Sequence, residues 1–167
     1  VTSNGEAISD PADRQGKPCY DQAALLRRFD VIAEICDGMQ ALGWGPYQCD
    51  HEDANGQFEI NWNFNDALTT ADQLAFFKFM VKSIAEKHGL RATFMPKPFS
   101  TLTGNGAHAH ISFWDMAGKK NLFDPGANPQ DNLRFLVFLT CVIECVDEYQ
   151  ELLRMSVASA GNDHRLG

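Results

Sequence analysis

Apolar residues recur at every third or fourth position between Asp21 and Leu42, which is the periodicity of an amphipathic helix. Asp21 is a favourable N-cap residue, because its carboxylate can accept hydrogen bonds from the backbone amides of the first turn. Gly43 follows the last periodic position and predicts the end of the helix there. The apolar stripe of this helix comprises Leu25, Phe29, Ile32, Ile35, Met39 and Leu42.

A second helical stripe lies between Thr70 and His88. Thr70 and Gln73 have the spacing of a capping box, which predicts that the helix begins at Thr70. Gly89 occupies the position of a C-terminal stop. A third helix, apolar on more than one face, is predicted from about Asp131 to Met155. The residues of the second helix that are expected to face the core are Leu74, Phe77, Val81 and Ile84.

Between the first two helices the period changes to two, which predicts a β-hairpin. Asn55-Gly56 is the strongest short signal for a two-residue type I′ turn, because such a turn needs positive φ at both positions. This turn would place Glu52 directly opposite Glu59. In the strand that follows, the apolar residues Phe58, Ile60 and Trp62 alternate with Gln57, Glu59 and Asn61.

Glu52 and Glu59 would then present two carboxylates on one side of the hairpin, with Cβ atoms about 5 Å apart. Like charges in this arrangement are destabilising unless a cation lies between them. Hard divalent cations prefer oxygen ligands, so the hairpin is a candidate metal site. The alternative is a solvated hairpin whose two glutamates extend separately into water.

A strand that carries histidines is predicted from Ala107 to Phe113, after a glycine-rich turn. Alternation would place His108, His110 and Ser112 on one face. Two imidazoles on one strand face are typical of a metal or anion site, whereas a hydrated strand with incidental histidines is the alternative. A further strand is expected at about residues 92–95. The residues of the histidine-bearing strand expected to face the core are Ala107, Ala109, Ile111 and Phe113.

The order of these elements predicts an α+β fold, with an antiparallel sheet and helices packed on one side. The 167 residues suffice for one domain with its own core. The net charge of −8 and the absence of a basic run argue against a nucleic-acid partner. The five cysteines have no zinc-site spacing and are typical of a reducing compartment. No signal peptide or membrane span is visible, so we expect a cytoplasmic protein that does not contact a membrane.

Several segments, in a fixed order, resemble the catalytic domain of glutamine synthetases. The resemblance extends from about Gly16 to the C-terminus. His51–Glu59 is similar to that family's metal-binding strand, written E…GQ.E. Lys87–Phe99 looks like the end of its next helix and its ATFMPKPF strand, and Gly104–His110 looks like its GSGMHxHxS element. Ser159–Gly167 looks like the start of its HRLGANEAPP segment.

The resemblance implies an ATP-dependent ligase that forms an amide on the γ-carboxylate of glutamate with ammonia, by way of a γ-glutamyl phosphate. It also implies Mg²⁺ or Mn²⁺ and assembly into a homo-oligomeric ring. A core position is the alternative for Phe64, and a surface position is the alternative for Arg165. The roles implied by position are metal binding for Glu52, Glu59 and His108, ATP binding for Phe64, His110 and Ser112, and glutamate binding for Gly104 and Arg165.

The chain departs from the family pattern in two respects. Residues up to about Asp124 are most similar to the shorter enzymes, which include γ-glutamylmethylamide synthetases, whereas the chain from Pro125 onward is similar to type III enzymes. A whole family member is much longer, so residues 1–167 are expected to be a partial catalytic domain, with residues 1–20 a loop.

On this interpretation the N-terminal β-grasp domain and the C-terminal remainder are absent, and the isolated chain is expected to be inactive. Two further functions remain open. One is a γ-glutamyl-amine ligase that uses methylamine or a polyamine. The other is a non-catalytic fragment or paralogue that acts in assembly.

Overall fold

The computed structural model describes residues 1–5, 7–106 and 110–122, which belong to two compact units, Val1–Asn105 and a second that begins at Gly106. In the first unit, β1 and β2 form an antiparallel two-stranded sheet, and the helices pack on one side of it, which confirms the predicted α+β class. No helix of the described residues is long and apolar enough to cross a membrane. The elements are α1 (Gln22–Leu26), α2 (Phe29–Ala41), β1 (Pro46–His51), β2 (Phe58–Trp62) and α3 (Ala67–Lys87).

The helix predicted from Asp21 is divided into α1 and α2 at Arg27 and Arg28. Asp21 caps α1 as predicted, with its carboxylate accepting hydrogen bonds from two backbone amides of the first turn at 2.9 and 3.3 Å. The break coincides with two contacts to the N-terminal segment: Arg27 Nε donates to Asp10 Oδ2 and Arg28 Nη2 donates to the Ser9 carbonyl, both at 2.6 Å. A periodicity argument contains no information about such contacts.

The buried stripe of α2 also differs from the prediction at its ends. Phe29 and Leu42 are exposed, and Val31 is buried in addition to the expected residues. The core consists of Val31, Ile35 and Met39 of α2 with Phe77 of α3. Side chains of β2 pack against this cluster from the sheet, and the ring centroids of Trp62 and Phe77 are 5.1 Å apart. Full burial of one such side chain contributes about 1.5–3 kcal/mol.

Helix α3 begins earlier than the capping-box spacing predicted. Asp66 is the N-cap, and its Oδ1 accepts a hydrogen bond from the backbone amide of Thr69 at 3.0 Å. Gln73 is therefore free to turn inward, where its Oε1 accepts a hydrogen bond from the indole of Trp62 at 3.3 Å. The predicted stop is confirmed, because Gly89 follows the C-cap with a φ of +70°.

The predicted strand at residues 92–95 does not form. Met95 makes its hydrogen bonds to side chains instead, with its amide donating to Thr93 Oγ1 at 3.2 Å and its carbonyl accepting from Asn105 Nδ2 at 2.8 Å. Pro96 follows and has no amide to donate to a ladder. An apolar alternation describes which way side chains face, but a strand also needs a partner for its backbone.

In the second unit, residues 110–113 also lack strand structure, and Trp114 forms an isolated antiparallel bridge with Asn121. Ile111 and Phe113 are exposed, so the expectation that they face the core is wrong for the described unit. The other two residues of that stripe, Ala107 and Ala109, lie outside the described residues. The helix predicted at residues 131–155 lies outside them as well.

Candidate functional site

Strands β1 and β2 form the predicted hairpin, but in a different register. Asp50, rather than Glu52, lies opposite Glu59, so the predicted pairing of the two glutamates is wrong. The amide of Glu52 donates instead to the carbonyl of Gln57 at 2.9 Å, which closes a loop longer than two residues.

The turn itself is held by a residue from outside the hairpin. The amide of Gln57 donates to the carbonyl of Ala54 at 3.0 Å. Gly56 has a φ of +67°, whereas Asn55 does not have a positive φ, so the turn is not type I′. The carboxylate of Asp13 accepts hydrogen bonds from Asn55 Nδ2 at 2.9 Å and from the Gly56 amide at 2.6 Å. These contacts favour the observed turn over the one predicted from the Asn-Gly pair.

The change in register moves the partner of Glu59 by two residues, from Glu52 to Asp50. Side chains alternate between the faces of a strand with a period of two, so an even shift keeps every side chain on its predicted face. Glu52 and Glu59 therefore share one face of the hairpin despite the incorrect pairing. Asp50, which the sequence analysis did not select, joins them on that face.

The carboxylates on this polar face are fixed by amide side chains. Asp50 Oδ2 accepts a hydrogen bond from Gln48 Nε2 at 2.6 Å, and Glu59 Oε1 accepts one from Asn61 Nδ2 at 3.0 Å. Each pair is two residues apart on one strand, which confirms that all four side chains lie on the same face. Glu52 directly follows the last residue of β1 and lies next to these carboxylates.

Burial raises the pKa of Glu52, and a hydrogen bond to Glu59 together with the negative charges of Glu59 and Asp50 raises this pKa further. All three acids are half-buried. Burial is the largest cause of the raised pKa, and the charges of Glu59 and Asp50 act in the same direction. A cation bound between the carboxylates would offset these charges.

The donor set fits the hard divalent cations, because carboxylate oxygens are the ligands that Mg²⁺, Mn²⁺ and Ca²⁺ prefer. Glu52 and Glu59 are the residues that could hold such an ion, with Asp50 adjacent. Within residues 1–5, 7–106 and 110–122, however, no group of three or more histidine, cysteine or acidic side chains is arranged to hold a metal ion.

The glycine-rich loop that contains Gly104 is hydrogen-bonded directly to the hairpin. Gln57 Nε2 donates to the Gly104 carbonyl at 3.2 Å and to Asn105 Oδ1 at 2.8 Å. Thr103 Oγ1 donates to Asp53 Oδ2 at 2.7 Å. The side chains of the hairpin loop thus hold three consecutive residues of the glycine loop next to the carboxylate face.

Gly104 is required for a steric reason rather than for its φ. A Cβ atom at this position would lie 2.6 Å from the carbonyl oxygen of Pro96. The same carbonyl accepts a hydrogen bond from the amide of Asn105 at 2.7 Å. Any side chain at position 104 would therefore displace the loop from the backbone that it packs against.

The other predicted site residues are placed as follows. Phe64 is 95% exposed, so the alternative of a core position is wrong for the described unit. His110 and Ser112 belong to the second unit and are exposed, and Ser112 Oγ accepts a hydrogen bond from Trp114 Nε1 at 3.0 Å. His108 and Arg165 lie outside the described residues.

Sequence reasoning missed two acids near the site. Asp50 could have been found, because Gln48, Asp50 and Glu52 continue the period-two polar pattern before the turn. No sequence pattern connects Asp13 with the hairpin, since it lies 42 residues before Asn55 in a segment without helix or strand.

The comparisons with known proteins agree with this description. Residues 2–160 match the family model described as glutamine synthetase, catalytic domain. A glutamine synthetase of Rhizobium meliloti is 70% identical over 123 residues, which are 74% of this chain and 28% of the relative. A glutamate–methylamine ligase of Methyloversatilis universalis is 49% identical over 116 residues, 70% of this chain and 26% of the relative.

A type-3 glutamine synthetase of Dictyostelium discoideum is 38% identical over 159 residues, 94% of this chain and 21% of the relative. Among solved structures, GmaS without ligand has a TM-score of 0.73 and 70% sequence identity, and the match covers 77% of this chain and 30% of the GmaS chain. A GmaS complex with ADP gives the same values. The relatives thus include both groups that the sequence resembled.

The named relatives, glutamine synthetases and a glutamate–methylamine ligase, are carbon–nitrogen ligases. The chain belongs to the glutamine synthetase family, since the model of that family's catalytic domain matches nearly all of it. It spans 28% of the length of the Rhizobium meliloti relative.

The raised pKa of Glu52 generates a prediction about pH and stability. The ionised carboxylate is disfavoured in the folded state, so the protein loses stability as pH rises from the ordinary glutamate value through the raised pKa. In metal-free protein, Glu52→Gln should therefore raise Tm at pH 7, and the difference should disappear below about pH 4. Relief of one like-charge pair is worth about 0.2–1 kcal/mol, or roughly 1–4 °C.

Thermal unfolding in a chelator, followed by circular dichroism at several pH values, measures this difference. Glu86→Gln is the matched control, because Glu86 is an exposed glutamate on α3. A wild-type protein that is as stable as the Glu52→Gln variant at pH 7, without metal, would show that the carboxylates do not repel one another.

Proposed function

We propose that the protein that carries this chain is an ATP-dependent glutamate–ammonia ligase, which forms glutamine by way of a γ-glutamyl phosphate. The observation that carries this proposal is the juxtaposition of two elements of the first unit. One is the hairpin face that carries the carboxylates of Asp50, Glu52 and Glu59, and the other is the glycine loop hydrogen-bonded to the hairpin. In a member of the glutamine synthetase family, such an arrangement brings a cation and a substrate together.

Glu52 and Glu59 would hold one divalent ion, Mg²⁺ or Mn²⁺, and His108 would help to hold a second. When bound, such ions neutralise the charge of transferring phosphoryl groups and orient them. Asp50 lies opposite Glu59 and adds negative charge to the same face, which would strengthen the attraction for a cation.

ATP would be bound by Phe64, His110 and Ser112. Phe64 is available for such a role, because its ring is almost wholly exposed in the first unit and an aromatic ring can pack against a base. The solved GmaS complex with ADP supports nucleotide binding by a chain that is 70% identical to this one over the matched region.

Glutamate would be bound by the Gly104 loop and by Arg165. The close approach of Gly104 to the Pro96 carbonyl leaves no room for a side chain, so the loop keeps this position only with glycine at 104. Gln57 ties this loop to the hairpin, so the reacting carboxylate of glutamate would be held in a fixed position relative to the metal. Fixed positioning of this kind is the main contribution of a protein to phosphoryl transfer.

A second candidate function differs in the acceptor alone. The glutamate–methylamine ligase of Methyloversatilis universalis is 49% identical to this chain over 116 residues, which favours an amine as the nucleophile. In either case we propose a cytoplasmic, homo-oligomeric ring, with neither nucleic acid nor membrane as a partner.

The acceptor is tested by an assay of the native protein with glutamate, ATP, Mg²⁺ and either ammonia or methylamine. The proposal predicts glutamine formation with a kcat/KM for ammonia above that for methylamine. The opposite order would establish the amine ligase instead. Failure to form an amide with either acceptor, in protein that binds Mn²⁺, would support a non-catalytic role in assembly.

The metal role is tested by Glu59→Gln in the native protein. The amide keeps the size and the hydrogen-bonding oxygen of Glu59 but removes its charge. We expect Mn²⁺ binding, measured by calorimetry, to weaken and activity to fall by about 10²–10³-fold, the usual cost of losing one electrostatic group at a reacting centre. Glu86→Gln on the exposed face of α3 is the control and should change neither quantity. Unchanged Mn²⁺ affinity in the Glu59→Gln variant would refute the two-glutamate site.

A further inference from the structure

The carboxylate of Asp13 is buried against the hairpin and receives three hydrogen bonds from it. The donors are His51 Nε2 at 2.7 Å, Asn55 Nδ2 at 2.9 Å and the backbone amide of Gly56 at 2.6 Å. The side chains of Asp13 and His51 are 1% and 0% exposed. Both oxygens of this buried carboxylate therefore have hydrogen-bond donors, and each donor belongs to the hairpin.

These three bonds fix both the strand and the turn. His51 is the last residue of β1, and its ring packs edge-on against Phe58, the first residue of β2, with centroids 5.5 Å apart. Because an ionised Asp13 can only accept, His51 Nε2 must carry the proton in this bond. Asn55 and Gly56 form the turn between the strands.

The N-terminal segment is held in place by a further bond to the same strand end. The amide of Tyr20 donates to the carbonyl of His51 at 2.7 Å. Gly56 also packs closely against this segment, since a Cβ at position 56 would lie 3.0 Å from Ile8 Cγ2. The segment that precedes α1 therefore packs directly against the hairpin turn and the end of β1.

We propose that Asp13, acting through His51 and the Asn55-Gly56 turn, is a positioning residue that sets the spacing of Glu52 and Glu59 and thereby the metal affinity of the hairpin. This inference rests on the proposed function. His51 directly precedes Glu52, and Phe58 directly precedes Glu59. The contacts that Asp13 makes through His51 therefore lie one residue from each carboxylate. By strand alternation, His51 lies on the opposite face from Glu52, so Asp13 acts from the core side of the hairpin.

The test compares Asp13→Asn with Asp10→Asn in the native protein. Asp13 accepts from Asn55 and Gly56 through two different oxygens, whereas an amide side chain has a single acceptor oxygen, so the substitution removes at least one of these bonds. Asp10 is the matched control because it is also buried in the same segment, but it pairs with Arg27, which directly follows α1, and does not contact the hairpin. Each variant removes one buried carboxylate from the N-terminal segment.

Titration with MnCl₂ alone, in a calorimeter, measures affinity without catalysis, and thermal unfolding in chelator measures stability. We expect Asp13→Asn to weaken Mn²⁺ binding about tenfold, the lower end of the usual effect of supporting residues at metal sites, and Asp10→Asn to leave it unchanged. In the activity assay the Mn²⁺ concentration for half-maximal rate should rise for Asp13→Asn, while kcat at saturating Mn²⁺ recovers.

Equal Mn²⁺ affinity in wild type and Asp13→Asn would overturn the proposal, and so would an equal loss in both variants, because a general loss of stability would then explain it. If Asp13→Asn does not fold, Asn55→Ala replaces it, since Asn55 is only half-buried and contributes one of the three bonds. That variant must also weaken Mn²⁺ binding, and an unchanged affinity would refute the positioning role of Asp13.

The same titration separates this inference from the function on which it rests. Wild-type protein that binds no Mn²⁺ would refute the proposed function. Wild-type binding that is lost in Glu59→Gln but unchanged in Asp13→Asn would refute the positioning role of Asp13 alone.

Discussion

The register of the β1–β2 hairpin is the constraint on which the rest of the site depends. The buried carboxylate of Asp13 holds this register, because it accepts hydrogen bonds both from the hairpin turn and from the last residue of β1. Burial by itself would raise the pKa of Asp13, but the hydrogen bonds from Asn55, Gly56 and His51 outweigh this effect and hold its pKa below the usual range. Asp13 therefore remains an ionised acceptor at neutral pH, and the turn remains in the observed form.

The two faces of the hairpin have opposite physical requirements. The face toward the helices carries Ile60 and Trp62, which pack on the core and anchor the sheet. The other face carries carboxylates, and burial together with the charges of Glu59 and Asp50 raises the pKa of Glu52, so ionisation of Glu52 costs the folded chain stability. Such a cost is commonly concentrated at functional sites and is offset by packing elsewhere. In this hairpin, the face that packs on the core stabilises the strands that carry the carboxylates. Gln57 joins the glycine loop to the same turn by a hydrogen bond.

The sequence predicted the faces of the hairpin correctly and its pairing incorrectly, and both outcomes have the same origin. Alternation is a local property, so Glu52 and Glu59 were placed on one face whatever the pairing. The turn type depends on Asp13, a distant residue that no local rule connects with Asn55. The helix break at Arg27 has a similar cause, since Asp10 and Ser9 lie outside the helix. Where only local signals act, as at the cap of Asp21 and the stop at Gly89, the prediction is confirmed.

The central claim is that the carboxylates of Glu52 and Glu59 share a divalent cation. A crystal of the native protein grown with Mn²⁺, and measured at a wavelength where manganese scatters anomalously, tests it without reference to activity. The account predicts an anomalous peak within about 2.5 Å of a carboxylate oxygen of each glutamate, the range for hard cations and oxygen ligands. Anomalous peaks elsewhere in the protein, with none at the hairpin, would contradict it.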